Sequence, residues 1–125
     1  MSQIRILFAE DSAFLRHLVQ EKLEHAGFTV VAAVDGEDAW QRFVAAPESF
    51  DLLLTDIEMP KCSGIDLAAR VRGSVRPRLP VVALTSLGTF QVLRRCVETG
   101  VDSFQVKFDF ERLQAVIREF AGRSG

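Results

Sequence analysis

The sequence holds two cysteines, Cys62 and Cys96, and no CxxC pair. Neither a disulfide framework nor a thiolate metal site organises it, and this usage fits a reducing compartment. Two histidines, His17 and His25, stand without metal-ligand spacing, so a zinc centre is not expected. No window approaches about 18 uninterrupted apolar residues, which excludes a membrane-spanning helix. No apolar run follows a basic N-terminal segment, so no signal peptide is visible and a cytoplasmic setting is expected. Charge of one sign is lacking too: 15 Lys and Arg face 17 Asp and Glu, for a net charge of -2. That balance gives no support to polyanion binding, which needs a concentrated basic face. The chain shows no internal repeat and no low-complexity segment.

What is present is an ordinary folded composition. The 125 residues are 48% hydrophobic and 26% charged, enough for one hydrophobic core and too apolar for intrinsic disorder. Short apolar runs alternate with longer amphipathic ones. Ile4 to Ala9 reads as a strand ending at Glu10-Asp11. Ser12 then caps a helix with Leu15, Leu18, Val19, Leu23 and Ala26 on one face, stopped by Gly27. Phe28 to Val34 is a second strand, Asp35-Gly36 a turn, and the next helix points Ala39, Trp40, Phe43 and Val44 inward until Pro47. Phe50 to Thr55 is a third strand ending at Asp56. A loop through Pro60 and Gly64 leads to a short helix over Ile65 to Val71. Arg72 to Pro80 reads as exposed linker. Val81 to Leu84 is the fourth strand, ending at Thr85-Ser86. A helix near Thr89 to Thr99 buries Leu93 and Val97 and stops at Gly100. Val101 to Val106 is the fifth strand, ending at Lys107. The last helix, Phe110 to Phe120, buries Leu113, Ile117 and Phe120, and Gly122 to Gly125 should fray. Five βα units in one domain call for an α/β fold: a doubly wound, five-stranded parallel sheet flanked by five helices.

Every chemically promising residue falls at the carboxyl end of a strand. These are Glu10 and Asp11, Asp56, Thr85 and Lys107, and the crevice outside such strand ends is where ligands bind in open α/β sheets. Singly, each has a plainer reading. Asp11 or Thr85-Ser86 would serve as helix caps, and Lys107 as a solvated lysine. Together they place three carboxylates against one ammonium. Crowded carboxylates raise one another's pKa and need a counter-ion, and an oxygen-preferring divalent cation such as Mg²⁺ would supply it. The same set suits phosphoryl transfer to a carboxylate oxygen.

The acidic pair in LFAEDS, the run LLLTDIEMPKCSGIDL, the ALTS run and GVDSFQVK together resemble the response-regulator receiver domain (CheY-like) of two-component signalling, over residues 3 to 121. The resemblance implies the flavodoxin-like strand order 2-1-3-4-5 in a single domain. It implies that Asp56 accepts phosphoryl from a histidine kinase or phosphotransfer domain. Asp11, Asp56 and the backbone carbonyl of Glu58 would ligate Mg²⁺, with Glu10 acting mainly through water. Thr85 and Lys107 would contact the phosphoryl group, with Thr85 and Phe104 as the switch pair. The fourth helix, fifth strand and last helix would form the readout surface toward a downstream signalling protein. Phe90, Arg94, Arg95 and Phe104 are candidates on it, and a monomer or weak homodimer is expected. Direct nucleic-acid binding is not expected, since no helix-turn-helix is left over.

Three features depart from the family pattern. Phe108 stands where proline usually follows the lysine, so a trans bond and a last helix capped by Asp109 are expected. Phe104 replaces a frequent Tyr and has no hydroxyl. Glu58 and Leu87 flank the pocket with an undetermined effect on dephosphorylation. The run VKFDFERL resembles receivers of the chemotaxis machinery, in hybrid CheA-like kinases and CheV-like coupling proteins. Two other functions compete: a pseudo-receiver that binds a partner without phosphorylation, and a small Mg²⁺-dependent phosphatase using Glu58. Cys62 would be oxidation-sensitive if open, and Trp40 reads as core or half-buried.

Overall fold

The structure is a computed structural model that describes residues 3–85, 90–107 and 109–123. Five parallel strands, β1 (Arg5–Ala9), β2 (Thr29–Ala33), β3 (Leu52–Asp56), β4 (Val81–Thr85) and β5 (Ser103–Val106), lie in the order β2-β1-β3-β4-β5. Between and after them run α1 (Ala13–His25), α2 (Gly36–Ala45), α3 (Gly64–Arg72), α4 (Phe90–Thr99) and α5 (Phe110–Arg123). A short 3-10 turn, Pro47–Ser49, follows α2. Alternation along β1 splits the interior in two, since successive side chains of a strand point to opposite faces. Ile6 and Phe8 join Leu52, Leu54, Leu23 of α1 and Ile117 of α5 on one face. Leu7 and Ala9 join Leu53, Phe43 of α2, Leu67 of α3 and Cys96 of α4 on the other. Central β3 is buried from end to end, which is why it reads as an unbroken apolar run closed by Thr-Asp.

Local signals do what they promise. Ser12 caps α1 by accepting from the Leu15 amide at 3.3 Å, Gly27 turns the chain at φ +100, and Asp109 accepts from the Arg112 amide at 3.2 Å to cap α5. Other expectations are corrected. Val44 is 53% and Val97 61% exposed. The buried line on α2 is Gly36–Ala39–Phe43, and on α4 Cys96 is buried with half-buried Val92 packed against the same core, each line ending one residue short of those valines. The Arg72 to Pro80 segment is no loose linker: Leu79 and Pro80 are buried, and Arg72 and Arg76 are tied down. Arg76 donates to the carbonyls of Pro47 and Phe50. Gly122 belongs to α5, which extends to Arg123 rather than fraying from Gly122. The expectations for Leu87, the Lys107–Phe108 bond, the Thr89 start of the fourth helix and the Ser124-Gly125 tail lie outside the described residues. Among the described residues no helix is long and apolar enough to cross a membrane.

Candidate functional site

β1, β3, β4 and the end of β5 deliver their last residues to one edge of the sheet. Just beyond β1, the Glu10 amide still donates to the Ala33 carbonyl at 3.2 Å, so the chain stays in register with β2 for one more residue. Its side chain, 2% exposed, accepts from the Ser12 amide at 3.1 Å and lies 3.3 Å from the Lys107 ammonium. Asp11, exposed, sits in the bend before the Ser12 cap. Asp56 is the last residue of β3. Its Oδ1 accepts from the Ile57 amide at 2.9 Å and lies 3.2 Å from Lys107 Nζ. Carboxylate oxygens of Glu10, Asp11 and Asp56 all come within 4.8 Å of one another. Thr85 ends β4 at the same edge, its carbonyl accepting from the Lys107 amide at 2.9 Å. Five residues spread over almost the whole chain therefore share one edge, because parallel strands present all their carboxyl ends on one side.

The charges are unbalanced. Burial pushes the Asp56 carboxyl above its ordinary range. Lys107 and the Ile57 amide pull it back in part, and Asp11 adds to the rise. Glu10 is raised for the same first reason, against the Ser12 amide, with Asp56 adding and Lys107 opposing. Burial works against the Lys107 ammonium as well, but Asp56 and Glu10 together outweigh it and hold its pKa above that of an ordinary lysine. One cation profits from two anions, while each anion has only a share of one cation. Three clustered oxygen donors short of positive charge suit a hard divalent ion such as Mg²⁺.

Glu58 is exposed, and its side chain is not among the three that converge. Glu10 holds protein partners directly on both carboxylate oxygens. Phe104 is half-buried and, with Phe90, Leu93, Arg94, Val97 and Glu98, lines a cavity of about 480 Å³. Phe90 is 79% exposed, and Arg94 and Arg95 are exposed beside it. Cys62 is closed off, and burial pushes its thiol up. His17 and His25 face solvent on α1. Trp40 is half-buried, tilted against Phe43 and covered by the Arg70 guanidinium 5.3 Å from its ring. Sequence reasoning missed Arg16, which donates to the Glu10 carbonyl at 2.9 Å; a lone arginine on an amphipathic helix carries no signal of that reach.

The sequence matches the family pattern of the response regulator receiver domain over residues 6–118. It is 37% identical over 121 residues to the transcriptional regulatory protein CpxR of Escherichia coli, covering 96% of this chain and 50% of that protein. It is 32% identical over 119 residues to the transcriptional regulatory protein CrdR of Helicobacter pylori, covering 94% of this chain and 55% of that one. The chain thus spans about half the length of these curated relatives. Among solved structures it is similar to the chemotaxis protein CheY4 of Vibrio cholerae, with a TM-score of 0.87 and 26% identity over 95% of this chain and 99% of that one. The family pattern, reached independently by sheet order and by the acid–lysine edge, makes this chain a member of the response regulator receiver domain family.

Proposed function

We propose that this chain accepts a phosphoryl group on Asp56 from a phosphohistidine of a histidine kinase or phosphotransfer domain, and passes the signal to a downstream signalling protein through α4, β5 and α5. The observation that carries this reading is the Asp56 carboxylate: at the edge of β3, 3.2 Å from Lys107 and clustered with Glu10 and Asp11. An Asp56 oxygen attacks phosphorus in line as the P–N bond to imidazole breaks. The product is an aspartyl phosphate, and the departing nitrogen keeps the bonding pair. Lys107, already beside Asp56, holds a phosphoryl oxygen. Glu10 keeps Lys107 oriented while the Ser12 amide fixes Glu10. Asp11, Asp56 and the Glu58 carbonyl would hold Mg²⁺, which when bound supplies the positive charge the three carboxylates lack. Thr85 and Phe104 would then respond: a phosphoryl group adds negative charge and strong acceptors at the strand edge, drawing the Thr85 hydroxyl inward and opening room for the Phe104 ring. Such a module works where kinases present phosphohistidine, in the cytoplasm.

The test is direct. Incubated with Mg²⁺ and acetyl phosphate, the wild-type chain should gain one phosphoryl mass and change its Trp40 emission, and Asp56→Asn should do neither. A folded protein that binds Mg²⁺ yet takes phosphoryl from no donor and forms no beryllofluoride adduct would instead be a phosphorylation-independent interaction module.

A further inference from the structure

The loop 57–63, between Asp56 and α3, is held more tightly than its sequence suggests. Lys61 has a φ of +69, and among the described residues it is the one non-glycine with a positive value. The Cys62 amide donates to the Pro60 carbonyl at 2.7 Å, so Pro60–Cys62 forms a γ-turn of the strained, positive-φ kind. Such a turn persists only where its surroundings over-determine it, and it is commonest at functional sites. The base of the loop is closed by Gly64, whose amide donates to the Ile57 carbonyl at 2.8 Å. A Cβ on Gly64 would stand 2.1 Å from the Asp56 carbonyl oxygen. Its inner side is filled by buried Ile57 and Cys62.

The apex leans on a different part of the chain, the junction of β2 and α2. A Cβ on Gly36 would stand 1.9 Å from the Cys62 carbonyl oxygen and 2.8 Å from the Cys62 Cβ, far inside the 3.4 Å where ordinary contact begins. Asp35, next to it, caps α2 through the Asp38 amide at 2.7 Å and lies 3.8 Å from Lys61 Nζ. A backbone-on-backbone contact has no rotamer to yield. The Gly64–Ile57 bond and the Gly36–Cys62 contact thus bracket the stretch that carries Glu58, two residues after Asp56.

We propose that Gly36 is a positioning residue for the acidic site: by letting the β2–α2 junction press on the Cys62 backbone, it sets where the loop presents the Glu58 carbonyl. This rests on the proposed Mg²⁺-dependent phosphoacceptor reading of that site. Gly36→Ala should keep a cooperative melt but weaken Mg²⁺ binding, measured by calorimetry, about tenfold or more, as loss of supporting contacts does at metal sites. Phosphoryl incorporation from acetyl phosphate, followed by mass, should be slowed at low Mg²⁺ and recover at saturating Mg²⁺. A general loss of structure would not produce that split. A folded Gly36→Ala with Mg²⁺ affinity within about twofold of wild type overturns the proposal. Should Gly36→Ala fail to fold, amide NMR on the wild-type chain decides. Under Mg²⁺ titration the Gly36 and Cys62 amides should shift with one midpoint, and a Gly36 amide that stays still overturns the proposal. A wild-type chain that binds no Mg²⁺ sinks the phosphoacceptor reading and this one with it, whereas normal wild-type binding with an indifferent Gly36 sinks this one alone.

Discussion

At the scale of single residues, Asp56 and Glu10 are carboxylates that the fold makes harder to ionise. Burial raises both above the ordinary range, and the single Lys107 ammonium returns only part of the lost hydration. The stability linked to each is therefore fully present below the unfolded carboxylate range, about pH 4. It is lost as pH rises through their elevated native values. In EDTA, Asp56→Asn should melt above wild type near about pH 7, with the gap closing as pH falls toward about 4, read by thermal melts across that range. A gap that widens toward acid would mean that the ion pair with Lys107, not burial, governs Asp56. Lys107→Ala takes the opposite direction. It leaves Glu10 and Asp56 facing each other without a cation, and should cost the metal-free protein about 3 kcal/mol in denaturant unfolding. Mg²⁺ should restore part of that loss.

Between elements, long arginine side chains do much of the joining. Arg72, at the end of α3, donates to the carbonyls of Gly100, Pro77 and Leu79 and pairs with Asp102 at 2.8 Å. Asp102 in turn accepts from the Val81 amide at 2.8 Å. The guanidinium thereby ties the end of α4 to the starts of β4 and β5. Arg72→Ala takes a donor from two part-buried carbonyls, those of Gly100 and Leu79, and should cost about 2–4 kcal/mol in denaturant unfolding. The outer face of α4 offers a contrast. Phe90 is 79% exposed and Val97 61%, so Phe90→Ser should change stability by less than about 0.5 kcal/mol. It should still weaken capture of a downstream partner by the phosphorylated chain. An equal loss of stability and capture would remove α4 from the readout surface.

For the whole molecule, two cores share one sheet, and the acidic edge is where charge is concentrated without adequate compensation. An ion that binds only the folded chain must stabilise all of it. At Mg²⁺ one hundred times its Kd the gain is about 2.7 kcal/mol, roughly 10 °C in Tm for a chain of this size. Asp56→Asn should lose most of that shift. Reductant should leave the Tm unchanged, because Cys62 and Cys96 are both buried and free.

Local chemistry suffices to read much of this from the sequence. Ser12, Gly27 and Asp109 act on their immediate neighbours, so capping and turning are visible in a few letters. Uninterrupted apolar runs reveal β1, β3 and β4 because both faces of a parallel sheet are covered. The alignment of Glu10, Asp11, Asp56, Thr85 and Lys107 at strand ends follows from the same pattern. What periodicity leaves open is which side of a half-apolar helix wins the sheet: Val97 reads as core, yet Val92 and Cys96 occupy it. The reach of long side chains is equally silent, as Arg72 and Arg76 show in a segment that reads as loose linker. Only the folded chain decides that Lys107 stands between two carboxylates, and that Gly36 touches the backbone of Cys62. Those contacts join residues far apart in sequence, and no local preference of either partner encodes the other.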